Sequence, residues 1–270
     1  MPKAIIAPSI LAGDFSRLAE EGIRMIKNDA DWLHLDIMDG HFVPNITIGA
    51  PVVKCLRKAI PKHDVVFDCH MMVSKPEQWV YNFAEAGGDI YCFHYEATNN
   101  PSTLIDTIHK TGMKAGIAIK PQTPVSVLFP FVDRLDMVLI MTGFFYKNSF
   151  FFSSDYSFLV EPGFGGQPFI PSCISKIRTL RHRYPDLNLE VDGGLTETTI
   201  ALAAEAGANI IVAGTSIFQA SHPGTTIQTF RQIVHTYQPS SSPSSPSLPL
   251  NTSSSSSSCT SPSPLPLPAP

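Results

Sequence analysis

Eight short apolar runs, each of strand length and each separated from the next by a longer segment, organise this chain from about residue 4 to about residue 237. The candidate strands span 5–11, 31–39, 64–72, 89–96, 114–120, 136–142, 187–193 and 209–215. Segments of helical period lie between them. FSRLAEEGIRMIKN has Asp14 or Ser16 as its cap, and TETTIALAAEAG opens on a Thr-x-x-Thr cap region and stops at Gly207. Strict alternation of strand and helix, eight times over, predicts an α/β protein with a (β/α)8 TIM-barrel fold rather than an open doubly wound sheet. A chain of 270 residues with 43% hydrophobic content can build one such domain, for which about 250 residues is usual.

Two segments break the pattern. Residues 143–159, GFFYKNSFFFSSDYSFL, follow the sixth run and carry six Phe with no clean period of 2 or 3.6. So many aromatic side chains on an open loop would make a sticky patch, so the segment reads as an atypical insert in a domain covering 1–237. The tail, 238–270, is almost wholly Ser, Pro, Leu and Thr, too poor in core-forming residues to fold, and is expected to be disordered.

Polar residues intrude into three of the apolar runs. HLDIMDGHFVPN (34–45) places His34 and Asp36 two residues apart, which in a strand points both to one face together with Met38. Leu33, Leu35 and Ile37 then turn toward the helical shell. His70 interrupts VVFDCHMMV (65–73), and Asp192 interrupts LNLEVDGG (187–194). All four fall toward the carboxyl ends of their strands, where barrels of this kind carry their chemistry. Burying two carboxylates at a barrel mouth with no cation costs several kcal/mol per ion, so His34, Asp36, His70 and Asp192 are expected to ligate one divalent metal. Mixed imidazole and carboxylate ligands suit Fe2+, Zn2+, Mn2+ or Co2+ better than Ca2+ or Mg2+.

Glycines suggest an anion site beside them. The GFGG cluster at 163–166 and Gly214 in VAGTSIF let backbone N–H groups approach a ligand closely. Loops after the seventh and eighth strands form the recurrent phosphate site of such barrels, which makes Gly193, Gly194, Gly214 and Thr215 the expected phosphate binders.

A net charge of −4 and the absence of any Lys/Arg block argue against nucleic acid and anionic membranes as partners, and for a small-molecule ligand. Five cysteines without a CxxC pair suit reduced thiols in a cytoplasmic protein. MPKAIIAPSIL reads as a first strand rather than an export signal, and no run has the roughly 18 apolar residues that span a bilayer.

With HLDIMDGHFVPN, DCHMMV, EPGFGGQPF and EVDGG in this order, the chain closely resembles the ribulose-phosphate 3-epimerase family from residue 4 to about 237, the insert apart. The resemblance implies a barrel of the ribulose-phosphate-binding type and a metal-dependent isomerase of the pentose phosphate pathway. Such an enzyme interconverts D-ribulose 5-phosphate and D-xylulose 5-phosphate. It implies that His34, Asp36, His70 and Asp192 hold the metal, with Asp36 and Asp192 as the two proton-transfer groups. It further implies that Ser9, Met38, Met72 and Met141 line the pocket, that His70 also touches the sugar phosphate, and that Gly163, Gly165 and Gly166 belong to a loop closing over it. The family is commonly dimeric, so a homodimer is expected.

The insert separates Met141 and Thr142 from Val160 and Glu161, which the resemblance would make continuous. Two other readings follow. The insert could leave a catalytically impaired barrel that binds a sugar phosphate or a partner, or the same chemistry could serve a longer sugar, as in a hexulose-phosphate 3-epimerase.

Overall fold

The computed structural model describes residues 2–143 and 167–238, and every structural statement here concerns those residues. The chain runs β1 (Ile5–Pro8), α1 (Leu18–Lys27), β2 (Trp32–Met38), α2 (Ala50–Ala59), β3 (Val66–Met72), α3 (Val80–Ala86), β4 (Ile90–His94) and α4 (Pro101–Lys110). It continues with β5 (Lys114–Ile119), β6 (Met137–Met141), α5 (Ile174–Arg183), β7 (Asn188–Asp192), α6 (Glu197–Ala206), β8 (Ile210–Ala213), α7 (Thr215–Phe218) and α8 (Pro223–Tyr237). Each expected strand is present, and all neighbours are parallel in the order β1-β8-β7-β6-β5-β4-β3-β2. The seam between β1 and β2 is nearly closed by a parallel bridge from Ser9 to His34 and by the Asp31 N–H donating to the Ile6 carbonyl at 3.0 Å. This is the expected barrel.

Strict alternation fails at one place. Between β5 and β6 the chain makes two 3-10 turns, Val125–Leu128 and Val132–Arg134, instead of an α-helix. Pro121, Pro124 and Pro130 remove backbone donors and block the helical conformation of the residues before them, so only short turns fit. The caps behave as the sequence suggests. Asp14 accepts from the Ser16 N–H at 2.9 Å ahead of α1, Thr196 and Thr199 form a reciprocal capping box on α6, and Gly207 ends α6 in the left-handed region.

A repeated contact closes the amino-terminal end of the barrel. The residue just before each even-numbered strand accepts a backbone N–H from the strand preceding it: Asp31 from Ile6, Asp89 from Phe67, Asp136 from Ala115 and Asn209 from Leu189, all between 2.8 and 3.0 Å. A helix side chain then satisfies the same group: Arg231, Arg57, His109 and Arg181 in turn. These acceptors occupy N–H groups at the strand starts that the ladders leave over.

Alternation sorts the strand side chains into two layers. Leu33, Leu35, Ile37, Phe67, Met71, Tyr91 and Phe93 point outward and pack with the helices in one core. Trp32, Cys92, Met137, Leu139, Ile210 and Val212 fill the barrel interior. Above this apolar plug the inward positions turn polar, and that change marks the site. No helix among the described residues is long and apolar enough to cross a membrane.

Candidate active site and metal centre

Strand register brings the four candidate ligands together. Asp36 on β2 pairs with His70 on β3, His34 sits one layer lower, and Asp192 ends β7 beside Met141 of β6. His34 Nε2 lies 3.5 Å from Asp36 Oδ1, and His70 Nδ1 lies 3.5 Å from the same oxygen and 3.9 Å from Asp192 Oδ2. The two imidazole nitrogens are 3.2 Å apart. One donor atom from each of the four lies within 4.8 Å of all the others. Ligands bonded at about 2.0–2.2 Å to one ion sit roughly 3–3.6 Å from each other, so the donor set and its spacing fit a divalent cation.

The four groups perturb one another's proton affinities. Burial disfavours a charge on His34, yet Asp36 and Asp68 outweigh it and hold the imidazole well above its ordinary range. His70 is pushed down by burial and by the charge on His34. Burial would raise Asp36, but His34 and His70 hold its carboxyl far below the usual range. Asp192 moves oppositely: burial, with Asp36 and Asp68 nearby, raises it to about 7 against the pull of His34. The pair therefore combines an ionised carboxylate with a carboxyl that holds a proton near neutrality.

A layer of polar groups beneath and beside the ligands escapes a reading of the sequence. His34 Nδ1 is 2.6 Å from Asp68 Oδ2. Glu190 is fully buried, with neither oxygen in a hydrogen bond and Oε1 3.7 Å from His34 Nδ1, and burial plus the neighbouring Asp68 raises it well above the carboxylate range. His34, Asp68 and Glu190 form a second group close enough to share an ion. On the other side His70 Nε2 meets His94 Nε2 at 2.8 Å, and His94 Nδ1 meets Glu96 Oε2 at 3.3 Å. Asp68 and Glu190 stand two residues before His70 and Asp192 on the same faces, so period-2 alternation carried a signal for both. His94 and Glu96 gave none beyond their place at a strand end.

The other expected site residues divide into three sets. Ser9, Asp36, Met141, Asp192, Gly193, Gly194, Gly214 and Thr215 line one cavity of about 500 Å³ at the carboxyl end of the barrel. Ser9 Oγ donates to Asp36 Oδ2 at 2.5 Å. Met38 and Met72 are not among its lining residues; they pack with Val43, against which Leu11 and Phe42 also rest. Gly163, Gly165 and Gly166 lie outside the described residues, as do the tail from 239 onward and 144–159 of the insert. Gly193 and Gly194 also have a steric reason to be glycine. Both have positive φ, and a Cβ would fall 2.2 Å from Gly143 N or 2.4 Å from Phe169 N.

The main chain beside the cavity is firmly tied. Thr142 N–H donates to the Asp192 carbonyl at 2.7 Å, and Ile170 N–H donates to the Thr142 carbonyl at 2.8 Å. Across the mouth, Thr47 Oγ1 donates to the Asp36 carbonyl at 2.5 Å and folds the 39–47 loop back on β2. Asp39 fixes that loop by accepting from the N–H groups of His41, Phe42 and Ser74.

Comparison with known proteins places the chain in a family. Residues 5–147 and 156–218 match the model of the ribulose-phosphate 3 epimerase family. The ribulose-phosphate 3-epimerase of Schizosaccharomyces pombe is 50% identical over 234 residues, covering 87% of this chain and 95% of the relative. That of Candida glabrata is 49% identical over 247 residues, covering 87% and 94%. A rice protein named as the cytoplasmic isoform is 47% identical, covering 88% and 97%. Among solved structures, the 3-hexulose-6-phosphate synthase of Salmonella typhimurium superposes with a TM-score of 0.61 at 13% identity, over 86% of this chain and 99% of that one, a likeness of fold alone. The eight-stranded barrel and the match along nearly its whole length make this chain a member of the ribulose-phosphate 3-epimerase family, an isomerase acting as an epimerase.

Proposed function

We propose that the chain interconverts D-ribulose 5-phosphate and D-xylulose 5-phosphate by two-base proton transfer at C3, supported by a divalent cation held by His34, Asp36, His70 and Asp192. The observation that carries this reading is geometric: Asp36 and Asp192 line one cavity, and one donor atom from each of them and from His34 and His70 lies within 4.8 Å of all the others. Inverting a carbon beside a ketone requires taking a proton from one face and returning one to the other. A pair whose environments push their affinities apart supplies a base and an acid together. After a turnover the two groups have exchanged roles, which is what the reverse reaction needs.

When bound, a divalent cation supplies electrophilic stabilisation of the oxyanion that develops as the C3 proton leaves. The residues of the chain do the rest. Ser9 fixes Asp36 through the hydrogen bond to Oδ2. Met141 gives the cavity an apolar wall that limits water. Gly193, Gly194, Gly214 and Thr215 line the same cavity and are assigned to the phosphate, Gly214 and Thr215 where β8 passes into α7. Fe2+, Zn2+, Mn2+ and Co2+ all suit the donor set, and elemental analysis of the purified protein decides among them. The rice relative's name supports a cytoplasmic setting, where this reaction serves the pentose phosphate pathway.

Relatives carrying the epimerase name align with most of the chain, which favours an active enzyme over an impaired binding barrel. A coupled assay of D-ribulose 5-phosphate conversion tests this on metal-loaded protein. Wild type turns over, while Asp36→Asn and Asp192→Asn each lose activity by about 10³-fold or more, the upper part of the range for a proton-transfer group. Folded, metal-loaded wild type without turnover would reject the function, and an active Asn variant would reject the two-base assignment.

A further inference from the structure

His70 is the one candidate ligand whose second nitrogen faces another histidine. Its Nε2 lies 2.8 Å from His94 Nε2, and His94 Nδ1 lies 3.3 Å from Glu96 Oε2. His70 and His94 are fully buried, so no bulk solvent intervenes. Phe42 packs on the His94 ring at 4.7 Å between centroids. At the far end, Glu96 Oε1 is taken by two donors: the Lys120 N–H at 2.8 Å and the Thr123 hydroxyl.

These contacts admit one ordering of protons in neutral rings. Glu96 is an ionised acceptor, its carboxyl held at about 2 because His94, Thr123 and the Lys120 N–H outweigh the cost of burial. An acceptor-only carboxylate requires the hydrogen of His94 to be on Nδ1. His94 Nε2 is then a bare acceptor, and two facing Nε2 atoms cannot both be bare if they are to bond, so His70 carries its hydrogen on Nε2. That leaves the His70 lone pair on Nδ1, the atom that faces His34 Nε2, Asp36 and Asp192.

We infer that His94 and Glu96 are positioning residues, a relay that selects the tautomer of His70 and keeps Nδ1 open toward the cluster. The role assigned to Nδ1 rests on the metal site proposed above; the tautomer order along the relay does not. Partners of this kind orient a ligating histidine and raise its basicity. The relay reaches the protein surface at Glu96 rather than ending on a strand, so it can be altered without touching a ligand.

Glu96→Gln is the informative change because it keeps shape and reverses one end. The Lys120 N–H continues to claim the amide oxygen, which turns the NH2 group toward His94 Nδ1. His94 must then move its hydrogen to Nε2, where it opposes the Nε2 hydrogen that His70 needs for Nδ1 ligation. Imidazole 15N shifts of labelled protein, metal-free and zinc-loaded, read the tautomers directly. Wild type should show His94 protonated at Nδ1, and Glu96→Gln should show it protonated at Nε2 in the metal-free protein. The zinc dissociation constant should rise about 10- to 100-fold in Glu96→Gln. Thr123→Val, which removes a neighbour of the same carboxylate but leaves Oε2 alone, should change neither.

His94 protonated at Nε2 in wild type would overturn the relay without any variant being needed. So would a Glu96→Gln protein with the wild-type tautomer and wild-type zinc affinity, or a Thr123→Val protein that loses zinc equally. If wild type binds no zinc, the metal reading fails by itself, and the His94 shift between metal-free wild type and Glu96→Gln still decides the relay.

Discussion

His34 Nδ1 stands 2.6 Å from Asp68 Oδ2, with both side chains wholly buried. The carboxylate fixes the hydrogen of His34 on Nδ1 and turns Nε2 toward Asp36. Asp68→Asn keeps the volume but removes the charge that enforces this. Metal affinity, measured by chelator competition, should fall about 10-fold or more, the usual effect of losing such a partner. Unchanged affinity in a folded variant would show that His34 needs no help from Asp68.

Asp39 offers a pH test independent of the metal. Three backbone N–H groups and the Ser74 hydroxyl hold its carboxyl at about 2, against the opposing effect of burial and below the ordinary 3.8. A lowered folded-state value stabilises the protein above the unfolded value and loses that effect as pH falls from about 4 toward 2. The group is partly exposed, so the contribution is on the order of 1 kcal/mol after allowance for solvent screening. Urea midpoints of wild type and Asp39→Asn should therefore differ at pH 7 and converge below about pH 4. A gap independent of pH would contradict this.

The family match omits residues 148–155, inside the segment whose composition sets it apart. Gly143 and Phe169 are bridged, so the chain leaves β6 and returns at the same place whatever lies between. Loop length then has a weak effect on stability, about 0.6 kcal/mol per doubling. Deleting 148–155 should shift the unfolding free energy by less than about 0.5 kcal/mol and leave turnover at the wild-type level or above. A folded deletion variant without turnover would make the segment part of the catalytic apparatus.

Much of the fold was legible because a barrel repeats one simple pattern. Apolar runs of strand length located all eight strands, and alternation placed His34 and Asp36 on the inner face. The same alternation marks Asp68 and Glu190, but a carboxylate in the interior of an apolar run does not announce whether it is a ligand, a buried neutral acid or a partner to a ligand. Only the placement of His34 between Asp36 and Asp68 separates these roles. The 3-10 connection before β6 was marked by prolines, whose effect the expectation of regular alternation overrode. Met38 points inward by period yet packs with Val43 from the loop after β2, a contact set by tertiary folding. Glu96 meets His94 only because the turn after β4 folds back, which no periodicity encodes.

The fate of the C3 hydrogen tests the central claim most directly. Wild-type protein converting D-ribulose 5-phosphate in D2O, followed by proton NMR from the first turnovers, should give D-xylulose 5-phosphate fully deuterated at C3 while the unreacted sugar keeps its hydrogen. That pattern requires one group to remove the proton and another, equilibrated with solvent, to return a deuteron, as Asp36 and Asp192 on one cavity would. Product that retains the original C3 hydrogen would mean one group carries it between faces, and would contradict the two-carboxylate mechanism.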